Sequence, residues 1–408
     1  MAGASALQTQ PTTLLPKCGA TLRSRPGQHR EACPATLIHS LRLWALKQPY
    51  QPLVAKRDAH GTWCTFSYGT IAYSADAVGE ALLTMGLGPA RPLLILSGNT
   101  VNHLLMALGA MTAGIPVVPV SVAHSLGTRD HGRLRAIATL VAPGAVFAED
   151  AGDYAAALGA LGLPAIIGRG RRPGAARMRS LLATRPGSGI REAFASLSPD
   201  STARIRCECG PDGEPAATLI THRRMMADQQ MMRQAWSLLR QERPLVVDGL
   251  PWGDGLAGSH NVNIVLANGG TLHIDSGQAD PGKFAATIAD LADVRPTIHI
   301  DVPAAYSRLV PALEADAAFA ERFFSRLNLA FSAGGTLPDE VRARFHEVAT
   351  RTTGHAVAIN DADCPRFAPA AARTDLRSPS ARPRTLGRIS QAGDPRLNIL
   401  RQLAFAYS

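Results

Sequence analysis

A glycine-containing turn near the middle of the chain is the stretch with the clearest chemical potential. Gly210, Gly213 and Pro215 form the turn, and a mixed polar and apolar segment continues to Thr221. Glycines let backbone N–H groups approach an anion closely, so a turn of this outline could wrap phosphates. Three acidic side chains in it would instead repel an anion, namely Glu208, Asp212 and Glu214. No lysine is near, so the sequence predicts the shape of a phosphate loop without its attraction for phosphate.

The elements that would position this turn follow from the hydrophobic pattern. Residues 91–120 predict a strand at Leu93–Leu96, a helix capped by Asn99 or Thr100, and a second strand at Val117–Val120. Strand, crossover helix and strand of this length form a parallel βαβ unit. A second series of strands and helices extends from residue 245 to 349. The fold class is therefore α/β, with two doubly wound parallel-sheet subdomains.

The same pattern divides the chain. We expect a mobile lead-in over 1–34, a first α/β subdomain over 35–200, and a second over 201–364 that contains the glycine turn. The alternation stops after Cys364, which predicts an irregular tail over 365–408 with a partial or disordered β region. A disordered tail, a drifted segment or a shifted reading frame would each give this pattern. Ligands of such folds lie beyond the carboxyl ends of the strands, where the loops near residues 251 and 332 are expected.

Composition limits the classes of function. The 408 residues carry a formal charge of +10, but the arginines are spread along the chain, which favours nucleotide-like substrates over nucleic acid. No apolar run approaches the roughly 18 residues that span a bilayer, and no signal peptide is recognisable. The six cysteines are scattered, which favours a reducing cytoplasm. Cys207 and Cys209 lack a second pair at metal-ligand spacing, so no metal site is predicted.

Several segments resemble one family of enzymes. Gly210, Gly213 and Pro215, followed by Thr221-His222-Arg223, are similar to the phosphate loop of adenylate-forming acyl-CoA synthetases, Thr-Ser-Gly-Ser-Thr-Gly-x-Pro-Lys-Gly. Three further segments resemble feruloyl-CoA synthases: Thr21 to Ser24, Leu96 to Thr100 and Gly114 to Ser121. Two others, Gly258 to Asn261 and Asn268 to Leu272, are similar to segments of the synthetase family. In this alignment the loop's hydroxyl positions become Glu208, Cys209, Pro211 and Asp212. The lysine that holds ATP phosphates becomes Ala216.

The resemblance assigns roles to the loops at the strand ends. It implies a nucleotide site that combines the loop residues Gly210, Gly213, Pro215 and Thr221 with the adenine- and ribose-binding turn Ser332, Ala333, Gly334 and Gly335. It implies an acyl pocket at Trp252, Asp254 and His260, with Asp254 in place of the family's pocket histidine. Trp252 as a packed core aromatic, and the glycine pair as an ordinary tight turn, remain open alternatives.

Catalytic positions are replaced in the same alignment. Asp361 stands where the family has a threonine that contacts the AMP phosphate, and Ala362 where it has a glutamate that helps hold magnesium. Asp361 could recruit a metal, or it could be a solvated aspartate. Family members carry a further small domain that supplies a catalytic lysine, and this chain ends at Ser408, where that domain would begin. The resemblance implies ATP and Mg²⁺ as cofactors, CoA as co-substrate and a small aromatic carboxylate as substrate.

Two hypotheses about function follow. The first is a feruloyl-CoA synthase-like protein that has lost most or all ligase activity, because acidic side chains near the triphosphate repel it and no lysine attracts it. The second is a working ATP-dependent acyl-CoA ligase with a non-standard loop, or with its missing domain supplied by another chain. A non-catalytic binding protein is the third possibility. The sequence gives no oligomeric state.

Overall fold

A computed structural model describes residues 34–126, 128, 130–209, 215–253, 260–277, 280–357 and 359–361. Its helices are α1 Leu37–Lys47, α2 Tyr68–Thr84, α3 Val101–Thr112, α4 Gly132–Val141, α5 Ala155–Leu161, α6 Met178–Leu182, α7 Ser188–Ala195, α8 His222–Ala235, α9 Leu238–Gln241, α10 His260–Asn268, α11 Phe284–Val294, α12 Pro303–Ala315, α13 Ala317–Phe324 and α14 Asp339–Thr353. Its strands are β1 Pro52–Arg57, β2 Trp63–Ser67, β3 Leu93–Leu96, β4 Val117–Val120, β5 Ala145–Asp150, β6 Ala165–Arg169, β7 Ala176–Arg177, β8 Thr202–Cys209, β9 Pro215–Thr221, β10 Leu245–Asp248, β11 Thr271–Ile274, β12 Ile298–Asp301, β13 Leu329–Ser332 and β14 Ile359–Asp361.

The first sheet has seven strands in the order β7-β6-β5-β3-β4-β8-β9. Its neighbours are parallel except β8 and β9, which form an antiparallel hairpin. The central strand β3 is buried along its whole length, as expected for an apolar run covered by helices on both faces. Thr100 caps α3 by accepting a hydrogen bond from the backbone N–H of His103. The predicted βαβ unit is confirmed, with Leu93 paired to Val117 and Leu96 to Val120.

The second layer consists of two smaller sheets, ordered β10-β11-β1-β2 and β12-β13-β14. Within them only β1 and β2 are antiparallel. The two sheets meet where the backbone N–H of Thr297 donates to the Leu245 carbonyl at 2.9 Å. The α/β class with largely parallel sheets is therefore confirmed. The predicted tail at 365–408 and the lead-in at 1–33 lie outside the described residues.

Sheet membership does not follow chain order. Strands β1 and β2 come early in the sequence, yet β1 pairs with β11, with Val54 opposite Leu272. Strands β8 and β9 follow residue 200 but belong to the seven-stranded sheet, where Val117 of β4 pairs with Arg204 of β8. The chain thus crosses between the two layers more than once.

A tight glycine connection joins α10 to β11. Gly269 has a φ of +70°, in the left-handed region that favours glycine. A Cβ atom added at Gly270 would lie 2.1 Å from the carbonyl oxygen of Pro244, so this position admits no side chain. Helix α10 accordingly ends at Asn268, directly before this connection. None of the helices described is both long and apolar enough to cross a membrane.

Candidate functional site

Polar side chains mark the carboxyl ends of the parallel strands in the second layer. Asp248 ends β10, Asp275 directly follows β11, and Asp301 ends β12. Ser332 ends β13 and is paired in register with Asp361, the last residue of β14. Because these strands are parallel, all five residues lie at the same edge, which is where ligands of doubly wound sheets bind.

Asp248 is the centre of a buried hydrogen-bond network at this edge. Its side chain is fully buried and accepts from the Trp252 indole Nε1 at 2.8 Å, the Asn261 Nδ2 at 2.7 Å and the Leu250 backbone N–H at 3.2 Å. Three donors compensate a carboxyl that has lost its hydration. The network fixes the loop after β10 against the first turn of α10.

Two side chains from the first sheet hold the same loop. Asn99, just before α3, donates its Nδ2 to the Leu250 carbonyl at 2.8 Å, and its Oδ1 accepts from the Trp252 backbone N–H at 2.9 Å. The buried Arg204 of β8 donates to the Trp252 carbonyl at 2.8 Å. The loop at 250–252 is therefore bonded to elements of both sheet layers, and it is the point where they are joined at the candidate site.

Trp252 is packed in the interior and borders a small cavity, and its role in an acyl pocket stays a prediction. It is 3% exposed, and its ring meets the His103 ring edge-on with centroids 5.4 Å apart. It also lines a cavity of about 50 Å³ together with Arg204, Met225 and Val262. Such a volume holds only a small group, so in this structure Trp252 is a packed aromatic on the wall of a nearly closed space. Burial lowers the pKa of His103 to about 4, which keeps that imidazole neutral.

His260 begins α10 beside this loop and is 2% exposed. Among the described residues, neither of its ring nitrogens has a hydrogen-bond partner. Burial lowers the pKa of His260 to about 4, and the nearby Arg204 and Arg224 lower it further. A neutral imidazole offers one donor and one acceptor. His260 therefore has the chemistry to bind a polar group, although it does not line the cavity beside Trp252.

The carboxyls at the strand ends interact electrostatically. Burial, with a smaller contribution from the charge of Asp275, raises the pKa of Asp248 to about 6. Loss of hydration also raises the pKa of Asp301 to about 7, again with contributions from Asp275 and Asp248. Asp275 accepts from the Thr287 hydroxyl at 2.9 Å. Within the described ranges no three His, Cys, Asp or Glu side chains are grouped so that they could hold a metal ion.

The β8–β9 hairpin carries the arms of the predicted phosphate loop. Glu208 is directly opposite Ala216, and Arg206 is opposite Thr218, so these four residues share one face. The Glu208 side chain is 53% exposed and lies 3.4 Å from the Arg206 guanidinium. Position 216, where the resemblance places a lysine, therefore faces a carboxylate across the hairpin. The tip, which includes Gly210 and Gly213, lies outside the described residues.

The structure also locates the other predicted nucleotide residues. Thr221 caps α8, since its Oγ1 accepts from the Arg224 backbone N–H at 3.3 Å. Pro215 begins β9. In the turn after β13, Ser332 and Ala333 are fully buried and Gly334 has a φ of +81°.

The predicted site residues lie on three separate parts of the fold: the turn after β13, the segment from β10 to α10, and strand β9. Ser332 donates its hydroxyl to the Gly335 carbonyl at 3.3 Å, which closes the turn at the same strand edge as Asp248. Trp252 and His260 also lie at that edge, whereas Pro215 and Thr221 lie at the two ends of β9. Asp254 falls outside the described residues, and Asp361 is described only as the end of β14.

Sequence reasoning missed the polar residues that hold the site together. They are Asn99, Arg204, Asp248, Asn261 and Asp301. A signal existed for Asp248, because an aspartate that immediately follows the apolar run Leu245–Val247 lies at a strand end. Arg204 gave no such signal, since an isolated arginine in a strand is usually exposed.

Comparison with known proteins decides the family. The family described as AMP-binding enzyme matches residues 41–357, about three quarters of the chain. The chain belongs to the AMP-binding enzyme family. A curated relative, the AMB antimetabolite synthetase AmbE of Pseudomonas aeruginosa, is 32% identical over 116 residues, which cover 27% of this chain and 5% of that protein.

Solved structures of adenylate-forming ligases share the fold. The fatty acyl-adenylate ligase from L. pneumophila, in complex with acyl adenylate and pyrophosphate, has a TM-score of 0.60 and 16% identity, covering 78% of this chain and 53% of that one. A benzoate CoA ligase from Burkholderia xenovorans LB400 has a TM-score of 0.60 and 21% identity, covering 80% of this chain and 60% of that one. The chain thus spans little more than half the length of these ligases.

Proposed function

We propose that this AMP-binding enzyme family member is a feruloyl-CoA synthase-like large domain whose ability to activate an aromatic carboxylate with ATP is lost or strongly impaired. The observation that carries this proposal is the pairing of Ala216 with the half-exposed Glu208 across the β8–β9 hairpin. The position that would present a cation to the triphosphate has no charge. Its nearest cross-strand neighbour is a carboxylate.

The charges decide whether ATP can be held. A unit charge 4 Å from a phosphate oxygen is worth about 1 kcal/mol in water and about 4 kcal/mol near a protein surface. Losing the cation and adding Glu208 therefore costs several kcal/mol, and each 1.4 kcal/mol weakens binding about tenfold. The ion pair with Arg206 offsets part of the repulsion, but it also uses a cation that could have met the phosphate. Asp212 and Glu214 add negative charge to the loop sequence.

Magnesium would be held poorly as well. The family glutamate that helps to hold it is replaced by Ala362, next to Asp361. Among the described residues, no three His, Cys, Asp or Glu side chains are grouped so that they could hold the magnesium ion instead. The residues present therefore do not fit a triphosphate with its metal ion. We derive no adenylation step for this chain.

The acyl side of the site is better preserved. We propose that a small aromatic carboxylate, of the hydroxycinnamate class, binds beside Trp252, where the cavity of about 50 Å³ would have to widen to admit it, with CoA as the ancestral co-substrate. Trp252 provides an aromatic wall, and the neutral His260 has both ring nitrogens available among the described residues. Asp248 and Asn99 hold that loop in place from both sheet layers. The scattered cysteines support a cytoplasmic location for this binding activity.

The competing function is an active ATP-dependent acyl-CoA ligase with a non-standard loop. It has one supporting observation: Ser332, Ala333 and Gly334 retain the tight turn that the resemblance assigns to adenine and ribose. Nucleoside recognition could therefore survive without triphosphate recognition. The two functions differ in how tightly the chain binds ATP compared with AMP.

Isothermal titration at pH 7.5 with ATP–Mg²⁺, AMP and ferulate separates the candidates. We expect ferulate to bind, ATP–Mg²⁺ to bind no more tightly than AMP, and pyrophosphate release with a panel of hydroxycinnamates to remain at background. Micromolar binding of ATP–Mg²⁺ would refute the loss of function. Failure of every hydroxycinnamate to bind, with the fold intact by circular dichroism, would refute the proposed substrate class.

A further inference from the structure

A basic cavity lies far from the candidate site, at the outer edge of the seven-stranded sheet. Four arginines line it: Arg171, Arg172, Arg177 and Arg179. Arg171 and Arg172 lie in the connection between β6 and β7, Arg177 ends β7, and Arg179 lies in the first turn of α6. The cavity has a volume of about 420 Å³, within the roughly 300–1,000 Å³ of small-molecule sites. Its remaining walls are apolar or small, and no acidic residue lines it.

Among the described residues, the four guanidinium groups have no compensating charge. None of them forms an ion pair or side-chain hydrogen bond with a described residue, whereas the neighbouring Arg169 is 3.7 Å from Asp150. Arg172 and Arg177 are half-buried, so their charges are only partly hydrated. Partial burial lowers the pKa of Arg177, and the like charges of Arg179 and Arg171 lower it further. Positive charge concentrated without a partner is the arrangement that an anionic ligand would stabilise.

This cavity is separate from the β8–β9 hairpin. Strand β7 is at one end of the sheet, and β8 is five strands away in the order β7-β6-β5-β3-β4-β8. At about 4.8 Å per strand, the two are roughly 24 Å apart. A single nucleotide bound at the hairpin would not reach the arginines. A ligand of this cavity would therefore be a different molecule from a nucleotide bound at the hairpin.

We propose that this arginine cavity binds a small ligand that carries at least two phosphate or carboxylate groups. Guanidinium groups pair with both kinds of oxyanion through two parallel hydrogen bonds, and four of them around one space match a ligand with several charges. The lining contains no aromatic residue on which a base could stack, which favours a compact ligand over single-stranded nucleic acid. This inference does not depend on the proposed function, because it concerns another edge of the sheet.

Titration of the full chain with inorganic pyrophosphate at low ionic strength tests the proposal. We expect saturable one-to-one binding that Arg172→Ala and Arg177→Ala each weaken about tenfold, and that the double variant weakens about a hundredfold. Arg177→Lys keeps the charge but loses the paired donors of the guanidinium group. Its affinity for pyrophosphate should lie between those of wild type and Arg177→Ala. Arg191→Ala, an exposed arginine on α7 outside the cavity, is the matched control and should bind as wild type does. Citrate in place of pyrophosphate shows whether carboxylates are accepted.

Three results would overturn the inference. One is the absence of saturable pyrophosphate and citrate binding by wild type. Another is an equal loss of affinity in Arg191→Ala, which would indicate a general charge effect. The third is tighter binding of a short RNA with the same dependence on Arg172 and Arg177. Thermal unfolding of each variant without ligand shows whether that variant is folded. If an alanine variant does not fold, Arg177→Lys still tests the proposal.

Discussion

Reversing the charge balance of the β8–β9 hairpin should return ATP binding to this chain. The perturbation is Ala216→Lys combined with Glu208→Gln. The two positions are directly opposite each other, with Cβ atoms about 5 Å apart in an antiparallel pair. A lysine at 216 alone would pair with Glu208, so most of its charge would be neutralised before ATP arrives. The second substitution removes that competitor and also frees Arg206 from its ion pair with Glu208.

The size of the effect follows from the exposure of these groups. Each unit charge near a bound phosphate contributes about 1 kcal/mol in water and about 4 kcal/mol at a partly screened surface. Because Glu208 is 53% exposed, the lower part of that range applies. Two changes of charge then give about 2–3 kcal/mol, which corresponds to about 30- to 150-fold tighter binding. Ala216→Lys alone should gain less than tenfold.

Isothermal titration with ATP–Mg²⁺ at 50 and 300 mM salt measures these affinities. The gain should shrink at high salt, since exposed charges are screened. Thr218→Lys is the matched control: Thr218 is two residues further along β9 on the same face, opposite Arg206. It adds the same charge as Ala216→Lys alone and should improve ATP binding by less than threefold. The reasoning is refuted if the double variant is folded and binds ATP no better than Thr218→Lys, or if wild type already binds ATP in the micromolar range.

Three further predictions concern the frame of the site. The pKa of Asp248 is about 6 when folded against 3.8 for an ordinary aspartate, so the folded state takes up a proton more readily than the unfolded chain. The contribution of Asp248 to stability should therefore fall by about 3 kcal/mol as pH rises from about 4 to 6, and Asp248→Asn should reduce the pH dependence of the unfolding free energy by about that amount in urea unfolding measured from pH 4 to 7. Asn99→Ala leaves the buried carbonyl of Leu250 and N–H of Trp252 unpaired and should cost about 2–4 kcal/mol of unfolding free energy. Gly270→Ala should cost at least about 2 kcal/mol, or prevent folding, because its Cβ meets a backbone carbonyl.

Each of these has a matched control. Asp153→Asn, at an exposed aspartate, should leave the wild-type pH dependence of the unfolding free energy between pH 4 and 6 in place, and an equal change there would contradict the role given to Asp248. Gly159→Ala lies within α5, where an added Cβ meets no atom within 4 Å, and should stabilise by up to about 1 kcal/mol. If Gly270→Ala is as stable as Gly159→Ala, the close approach to Pro244 is wrong. An unfolding free energy of Asn99→Ala equal to that of wild type would show that the bonds to the 250–252 loop contribute nothing.

Local signals were enough to predict much of the fold. The β3–α3–β4 unit has apolar strands and a threonine cap, and each of its boundaries lies within a residue or two of the prediction. The pairing of β1 with β11 could not be predicted in this way. Its partners are more than 200 residues apart, and no feature of residues 52–57 indicates which sheet they join. Such register is decided by the packing of whole layers.

The sequence pointed to residues in the loops of the candidate site, but not to the buried polar residues that hold those loops in place. Trp252 and His260 were named because the resemblance pointed to them. Asp248 was not, because its importance depends on three donors contributed by the following loop and α10. The sequence also placed Glu208 and Ala216 in one loop, whereas the structure extends two strands through them and sets them face to face. The antiparallel register of β8 and β9 determines that Glu208 is opposite Ala216, which the sequence alone does not show.

That arrangement separates the residues that maintain the fold from those that would do the chemistry. Asp248, Asn99 and Arg204 are buried and bond the two layers, so losing any of them leaves unpaired polar groups in the interior. Glu208 is half-exposed, and an exposed ion pair contributes about 0–1 kcal/mol to stability. The β8–β9 hairpin can therefore change the sign of its charge while the architecture persists. For the same reason, Ala216→Lys with Glu208→Gln should change ATP affinity by more than tenfold while the unfolding free energy moves by less than about 1 kcal/mol.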